Sequence, residues 1–327
     1  MTLCTNNTLG KTLGTTLATL AVAALASGMA SAQDTKVVIA ISGWTGFAPL
    51  TLAKEAGIYK KYGLDVTIKK VPQKDRHLVL ASGDAQCAAT TVETWIGWNA
   101  AGVATTQIFQ LDKSYGADGM VVKPNITKIS DLKGKTVAAD APGTAPYFGL
   151  AWMLKKNGLS IKDVKVVNLS PQAAANAMIA GTDGMDAAMT YEPYLSAVRA
   201  KPEAGKIIAT TLDYPMVMDT FGCTPKFLSE NPKAAKSLAD GYFDALDMIK
   251  ADPAKSNEIM GADVKQSGEA FAKSASYLRW QDRAANQKFF AGEHAQFSKE
   301  AADLLLEMGI IKSLPDMSKL ADTRFLK

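Results

Sequence analysis

Short β-branched segments alternate with amphipathic helical segments along most of this chain, and this alternation limits the fold more than any other feature. Such alternation is typical of α/β proteins whose parallel sheets are covered by helices. It occurs twice in succession, and from Pro225 onward the pattern is almost wholly helical. The first helix is predicted over Phe47–Tyr62. The predicted strands are Lys36–Ser42, Asp65–Val71, Gln86–Thr91 and Thr105–Leu111, then Thr136–Asp140, Val164–Leu169, Asp186–Thr190 and Ile207–Thr211, with an extended run at Met216–Cys223.

The segment Met1–Ala32 has the features of a secretory signal peptide. Lys11 is its only charged residue, Leu13–Met29 is apolar and small, and Ala30-Ser31-Ala32 matches an A-x-A cleavage pattern. A membrane anchor is the competing interpretation, but the segment is short for a spanning helix. We therefore expect cleavage after Ala32 and a periplasmic protein.

The length that remains after cleavage predicts two lobes. Roughly 295 residues are more than one hydrophobic core usually serves. We expect lobe 1 to comprise residues 33–115 and 220–327, and lobe 2 to comprise residues 116–219. The chain should cross between them near Ser114–Val122 and near Tyr214–Thr220, and the helical tail should return to lobe 1.

The composition argues against several kinds of partner. The net charge is only +4 and the basic residues are scattered, whereas nucleic-acid binding requires a basic stripe. The acids lack metal-ligand spacing, and His77 and His294 lie far apart. We expect no nucleic-acid partner, no metal and no cofactor. Cys87 and Cys223 are the cysteines left after cleavage. An exported protein could join them, but two cysteines do not make a disulfide framework, and we expect free thiols.

Four segments carry a family resemblance: "APLTLAKEAGIYKKYGLDV", "LASGDAQCAATT", "ISDLKGKTVAA" and "GMDAAMTYEPYL". In this order they resemble solute-binding proteins of nitrate/sulfonate/taurine-type ABC importers. The resemblance implies a two-lobed α/β fold of the periplasmic-binding-protein type (Venus flytrap, type II), with two crossover segments and a helical C-terminal tail. It also implies a ligand in the cleft, an inner-membrane ABC permease as partner, and a position for Cys87 near Cys223 in lobe 1.

The cleft should be formed by loops that lead from strands into helices, since ligands of open α/β sheets lie beyond the carboxyl ends of the strands. In the first loop, Gly43 and Gly46 flank Trp44, which points to an indole at the cleft rim; packing under the first helix is the alternative. The five predicted loops are Gly43–Phe47, Thr90–Thr94, Asp112–Asp118, Ala141–Tyr147 and Thr190–Pro193.

These loops contain acids and aromatics but no Arg, which predicts a small cation as ligand, with guanidinium the best fit. Glu93 and Glu192 stand at helix starts, where an acid also stabilises the helix dipole. Asp118 instead serves a turn in the alternative interpretation. Gly143 and Thr144 precede a helix and favour an anion or a neutral carbonyl such as that of urea. The predicted ligand-binding residues are Trp44, Thr91, Glu93, Tyr115, Asp118, Thr144, Tyr191 and Glu192.

Other classes of function remain as alternatives. A binding protein for a sulfonate, taurine, nitrate or a pyrimidine-type ligand is the main one. Pyrimidine-precursor synthesis enzymes share the fold but require clustered His or Cys, so we expect no enzyme activity. The predicted function is therefore capture of a small nitrogen-containing solute by a monomeric binding protein that delivers it to a permease.

Overall fold

Residues Asp34–Lys327 are described by a computed structural model, and the predicted signal peptide lies outside them. Their strands are β1 (Thr35–Ile41), β2 (Leu64–Lys70), β3 (Cys87–Thr91), β4 (Thr106–Ser114), β5 (Asp118–Val122), β6 (Thr136–Ala139), β7 (Lys165–Asn168), β8 (Ala187–Tyr191), β9 (Lys206–Thr210), β10 (Met218–Cys223) and β11 (Leu278–Trp280). Their α-helices are α1 (Ala48–Glu55), α2 (Ile58–Lys61), α3 (Arg76–Ala81), α4 (Val92–Ala100), α5 (Ala145–Lys156), α6 (Pro171–Ile179), α7 (Tyr194–Arg199), α8 (Pro225–Glu230), α9 (Pro232–Ala251), α10 (Pro253–Asp263), α11 (Gly268–Ala275), α12 (Arg283–Lys288) and α13 (His294–Glu307).

The strands form two mixed sheets. The first has the order β11-β4-β10-β3-β1-β2, and the second has the order β7-β6-β8-β5-β9. In the first sheet β1 runs parallel to β2 and β3, while β10 runs antiparallel to β3 and β4. The chain leaves the first sheet after β4 and returns to it at β10. This is the two-lobed α/β fold with two crossovers that the sequence predicted, although the lobe boundaries given above stay predictions.

Local chemistry explains where the elements differ from the predicted ones. The helix predicted over Phe47–Tyr62 is instead divided into α1 and α2, because Gly57 between them has a φ of 72°. That left-handed conformation suits a residue without a Cβ. β5 lies within the predicted crossing, and it is a strand because it pairs with both β8 and β9. β11 is a short edge strand on β4.

The helical tail contacts both lobes. On α9, Tyr242 packs in the core of the first lobe, with its ring centroid 5.1 Å from that of Phe109 on β4. On α13, Phe297 packs near Phe148 and Trp152 of α5 in the second lobe. α13 therefore packs against α5 as well as against α4, and the assignment of residues 220–327 to lobe 1 stays a prediction. No helix within residues 34–327 is long and apolar enough to cross a membrane.

The expectation of free thiols is wrong, because Cys87 and Cys223 form a disulfide. They occupy directly paired positions on the antiparallel strands β3 and β10, with Cα atoms 3.9 Å apart. Side chains at such positions lie on the same face of the sheet with their Cβ atoms close together. The disulfide joins β10, which returns from the second lobe, to a strand 136 residues earlier in the chain.

Candidate ligand-binding site

A small cavity of about 20 Å³ is lined by residues of both lobes. This volume is close to what one ordered water molecule needs, so the lobes must separate to admit a solute. The cavity lies where loops follow the carboxyl ends of strands in both sheets, as expected for an α/β fold. Its wall includes Trp44, Gln73, Arg76, Thr90, Thr91 and Asp219 from the first lobe, and Asp118, Ala145 and Tyr191 from the second.

Trp44 forms part of the cavity wall and is held in place from two sides. Its indole N–H donates a hydrogen bond to Asp112 Oδ1 at 3.2 Å, and its ring meets Tyr191 edge-on at 5.4 Å between centroids. Gly46 makes this arrangement possible, because a Cβ there would come within 2.2 Å of both Asp112 Oδ2 and Trp44 Nε1. The glycine next to the indole therefore lets the backbone approach the Asp112 carboxyl group.

Four buried acids lie in the cavity wall or behind it: Asp118 and Asp219 line the cavity, while Asp112 and Glu93 contact its lining residues Trp44 and Thr91. Burial raises the pKa of Glu93 to about 8 and that of Asp118 to about 7. Burial also raises the pKa values of Asp112 and Asp219 well above the ordinary range, and repulsion between the two adds to the rise at Asp219. Burial therefore favours the protonated forms of these acids in the ligand-free site.

The acids are only partly satisfied by hydrogen bonds. Thr91 donates its hydroxyl to Glu93 Oε1, and Trp44 donates to Asp112. Glu93 Oε2 and Asp118 Oδ2 are buried without a hydrogen-bond partner in the described structure. Among the ion pairs formed within residues 34–327, none involves any of the four acids. Buried carboxylates normally have a charged partner or hydrogen-bond donors, so within residues 34–327 these acids are incompletely compensated.

Arg76 places one positive charge in the cavity wall. It is 1% exposed, and burial lowers its pKa to about 10. Its Nε and one terminal nitrogen donate to the carbonyl of Val71 at 3.3 and 3.1 Å, and the other terminal nitrogen donates to the carbonyl of Ala89. Because a guanidinium has five N–H groups, two remain uncommitted. The cavity therefore contains a cationic group that the five predicted loops did not include.

Gln73 connects the two lobes across the cavity. Its amide nitrogen donates to the hydroxyls of Thr90 at 2.9 Å and Thr94 at 2.8 Å, both in the first lobe. Its amide oxygen accepts from the backbone N–H of Ala145 at 3.3 Å, at the start of α5 in the second lobe. A contact between Thr94 Oγ1 and the carbonyl of Gly143 at 3.4 Å crosses at the same place. The structure thus has its lobes in contact over the cavity.

The cavity brings together four of the predicted residues: Trp44, Thr91, Asp118 and Tyr191. The other four predicted residues, Glu93, Tyr115, Thr144 and Glu192, do not line the cavity. Glu93 accepts the hydroxyl of Thr91, which does line it.

Tyr115 is 50% exposed and stacks under the guanidinium of Arg279 at 4.3 Å, because it lies in the crossing after β4 ends. Thr144 gives its hydroxyl to the carbonyl of Ala141 at 2.8 Å, so its side chain serves the turn before α5. Glu192 is fully buried but forms an ion pair with Arg199 and accepts the N–H of Ser196 at 3.2 Å. Its charge is therefore already balanced by its own lobe.

Sequence reasoning missed Gln73, Arg76 and Asp219. Gln73 and Arg76 follow β2, so the rule that selects loops after parallel strands would have found them if the loop after Asp65–Val71 had been included. Asp219 lies on an antiparallel strand that enters the sheet from the crossing, where that rule does not apply.

Within residues 34–327, no group of three or more His, Cys, Asp or Glu residues is arranged to hold a metal ion.

These features define a two-lobed α/β binding-protein fold with a small, charged interlobe cavity. The chain belongs to the family described as NMT1/THI5 like, which matches residues 44–256. It is 27% identical over 300 residues to the taurine-binding periplasmic protein of Escherichia coli (strain K12), a match that covers 85% of this chain and 87% of the relative.

Solved structures share the fold. The alkanesulfonate-binding protein SsuA from Xanthomonas axonopodis pv. citri, bound to MOPS, has a TM-score of 0.75 at 17% identity and covers 89% of this chain and 100% of its own. The periplasmic nitrate-binding protein NrtA from Synechocystis PCC 6803 has a TM-score of 0.68 at 19% identity, covering 89% of this chain and 86% of its own. The resemblance to solute-binding proteins of the nitrate/sulfonate/taurine type is thereby confirmed.

Proposed function

We propose that this chain is the solute-binding protein of an ABC importer and that its cleft holds a small nitrogen-containing cation, with a guanidinium-like group as the best fit. The observation that carries the proposal is Asp118. Its carboxyl group is buried, lines the cavity and has an oxygen without a partner. A cationic solute would supply the missing charge and the hydrogen-bond donors together.

The residues that line the cavity also support a planar cation. Asp118 comes from the second lobe and Asp219 from the first, so a guanidinium between them has acceptors on both sides. Trp44 and Tyr191 supply aromatic surface, which favours a cation over a neutral solute of the same size. The hydroxyls of Thr90 and Thr91 add neutral hydrogen-bonding groups on the first lobe.

A zwitterion of the taurine type is the second candidate, and Arg76 is the observation that favours it. The two uncommitted N–H groups of Arg76 fit one end of a sulfonate, while Asp118 and Asp219 fit an ammonium group at the other end. The taurine-binding relative supports this candidate. A simple anion such as nitrate lacks a positive group and would meet the buried acids of the site unfavourably.

The remaining roles follow from the family. We infer that the protein works in the periplasm, delivers its solute to an inner-membrane permease and acts as a monomer without enzymatic activity. The relatives named above are binding proteins. The enzyme alternative has little support in the site, because neither His77 nor His294 lines the cavity.

Isothermal titration calorimetry with guanidinium, taurine, urea and nitrate tests the proposal. We expect guanidinium to bind the wild type and to bind Asp118→Asn much more weakly. Asp183→Asn is the matched control, since it is the same change at an exposed position of the same lobe. Tight taurine binding that Arg76→Gln abolishes, with guanidinium inert, would replace the first candidate by the second. Nitrate binding with guanidinium and taurine inert would refute both candidates.

A further inference from the structure

Asp112 and Asp219 form a directly facing pair of acids at the cavity. They occupy paired positions on the neighbouring antiparallel strands β4 and β10. Asp219 lines the cavity, whereas Asp112 lies behind it and accepts the indole N–H of Trp44. Both are buried, with exposures of 0% for Asp112 and 3% for Asp219. Water therefore cannot screen the two carboxyl groups from each other.

The charges around this pair do not balance two ionised carboxylates. Asp118 faces it from β5 and Glu93 faces it from α4, and both would add negative charge. Tyr242 of α9 lies near it as a neutral phenol, since burial raises the pKa of that phenol well above its usual range. Arg76 of α3 is the cation that acts on Asp219, but it forms no ion pair with it among the described contacts. Repulsion between two adjacent buried carboxyl groups opposes the ionisation of both at once.

We infer that Asp112 and Asp219 share a proton in the empty cleft and that a cationic solute bound at Asp219 displaces it. This inference rests on the proposed function and specifies how the site accepts a positive charge. The O–H bond of the shared proton breaks, the proton passes to a base of the buffer, and an N–H of the solute donates to the freed carboxylate. One positive charge enters and one leaves, so the net charge of the site is unchanged.

Displacement of the proton makes selectivity depend on pH. Urea has nearly the shape of guanidinium but no charge, and a protonated carboxyl group can donate to its carbonyl without losing the proton. Guanidinium affinity, in contrast, should rise about tenfold for each pH unit while one proton is released on binding. Asp219 would thus determine whether the cleft prefers a charged or a neutral solute at a given pH.

Calorimetry in two buffers measures the displaced proton. Guanidinium chloride is titrated into the protein at pH 7 in phosphate and in Tris, whose ionisation enthalpies differ, and the difference in binding enthalpy gives the number of protons released. We expect about one proton or more for the wild type. Asp219→Asn should release about one proton fewer than the wild type. Asp118→Asn should still release the proton shared by Asp112 and Asp219. Asp65→Asn, an exposed change in the same lobe, should match the wild type.

The outcomes separate this inference from the proposed function. Binding of guanidinium with no proton released, or with equal release by the wild type and Asp219→Asn, would overturn the inference and leave the cation proposal standing. Absence of guanidinium binding would count against the proposal itself, and taurine, which also carries an amine, would then be the probe. The shared proton can also be observed without ligand. The infrared band of protonated carboxyl groups at pH 7 should be weaker in Asp219→Asn, and an unchanged band would contradict the inference.

Discussion

Replacing Asp118 by Asn should change ligand binding and folding stability in opposite directions. The substitution keeps the size of the side chain but removes the charge that faces the cavity. Hydrogen bonds to charged groups contribute about 1.5–3 kcal/mol, so guanidinium affinity should fall roughly 10-fold to 150-fold. A residue that only shaped the turn after β4 would cost less than about 0.5 kcal/mol of binding.

The effect on stability follows from the pKa of Asp118, which burial raises from 3.8 to about 7. Well below pH 4 the group is protonated in the folded and the unfolded chain, so it does not affect their balance. As pH rises toward 7 the unfolded chain loses this proton first, and the free energy of unfolding falls by about 1.4 kcal/mol per pH unit. The total fall is about 4 kcal/mol at most by pH 8. Asn does not titrate in this range, so the Asp118→Asn variant does not lose this part of its free energy of unfolding as pH rises.

Thermal unfolding of the ligand-free proteins at pH 4 and pH 8 checks this difference. The melting temperature of Asp118→Asn should be close to that of the wild type at pH 4 and several degrees higher at pH 8, while Asp183→Asn follows the wild type at both. Calorimetry with guanidinium gives the binding loss in the same samples. A variant that is less stable than the wild type at pH 8, yet binds guanidinium equally well, would refute the reasoning.

Three further predictions concern the surroundings of the site. Double substitution of Cys87 and Cys223 by Ser should lower the free energy of unfolding by about 2–5 kcal/mol in denaturant titrations, and the intact mass of the unreduced wild type should show the disulfide. Tyr115→Ala should change the free energy of ligand binding by less than about 0.5 kcal/mol, because the side chain lies outside the cavity. A larger loss of affinity in calorimetry would show that Tyr115 contributes to ligand binding. Gly46→Ala should weaken binding and lower the melting temperature, because its Cβ would come within 2.2 Å of Trp44 Nε1; unchanged binding would show that Trp44 does not shape the cavity.

Much of the architecture was predictable because it depends on local patterns. Hydrophobic periodicity located the buried strands, and the alternation of strands with helices predicted the two sheets. The break at Gly57 was not predicted, because a helix tolerates an isolated Gly and only the left-handed φ of 72° ends it. β11 was missed because a three-residue edge strand depends on its pairing with β4 rather than on its own pattern.

The site was less predictable, since its members meet through pairing between distant strands. Nothing near Asp219 in sequence shows that β10 places it opposite Asp112, and the same pairing brings Cys223 to Cys87. Arg76 was missed because the loop after β2 was left out. Glu192 and Thr144 were included because their positions before helices resemble binding positions. The structure shows that a neighbouring Arg199 and a turn carbonyl satisfy them instead.

The charge of the cavity also bears on how the cleft closes. Asp118 belongs to the second lobe and Asp219 to the first, so an empty closed cleft brings two acids of different lobes into one water-poor space. Ionised forms of both would oppose closure, whereas protonation or a bound cation removes the repulsion. A solute can favour the closed form only through its greater affinity for that form. A cation held between Asp118 and Asp219 gains this preference from both lobes. Opening the cleft would expose each carboxylate to water and would leave the cation with only one of its two carboxylate partners.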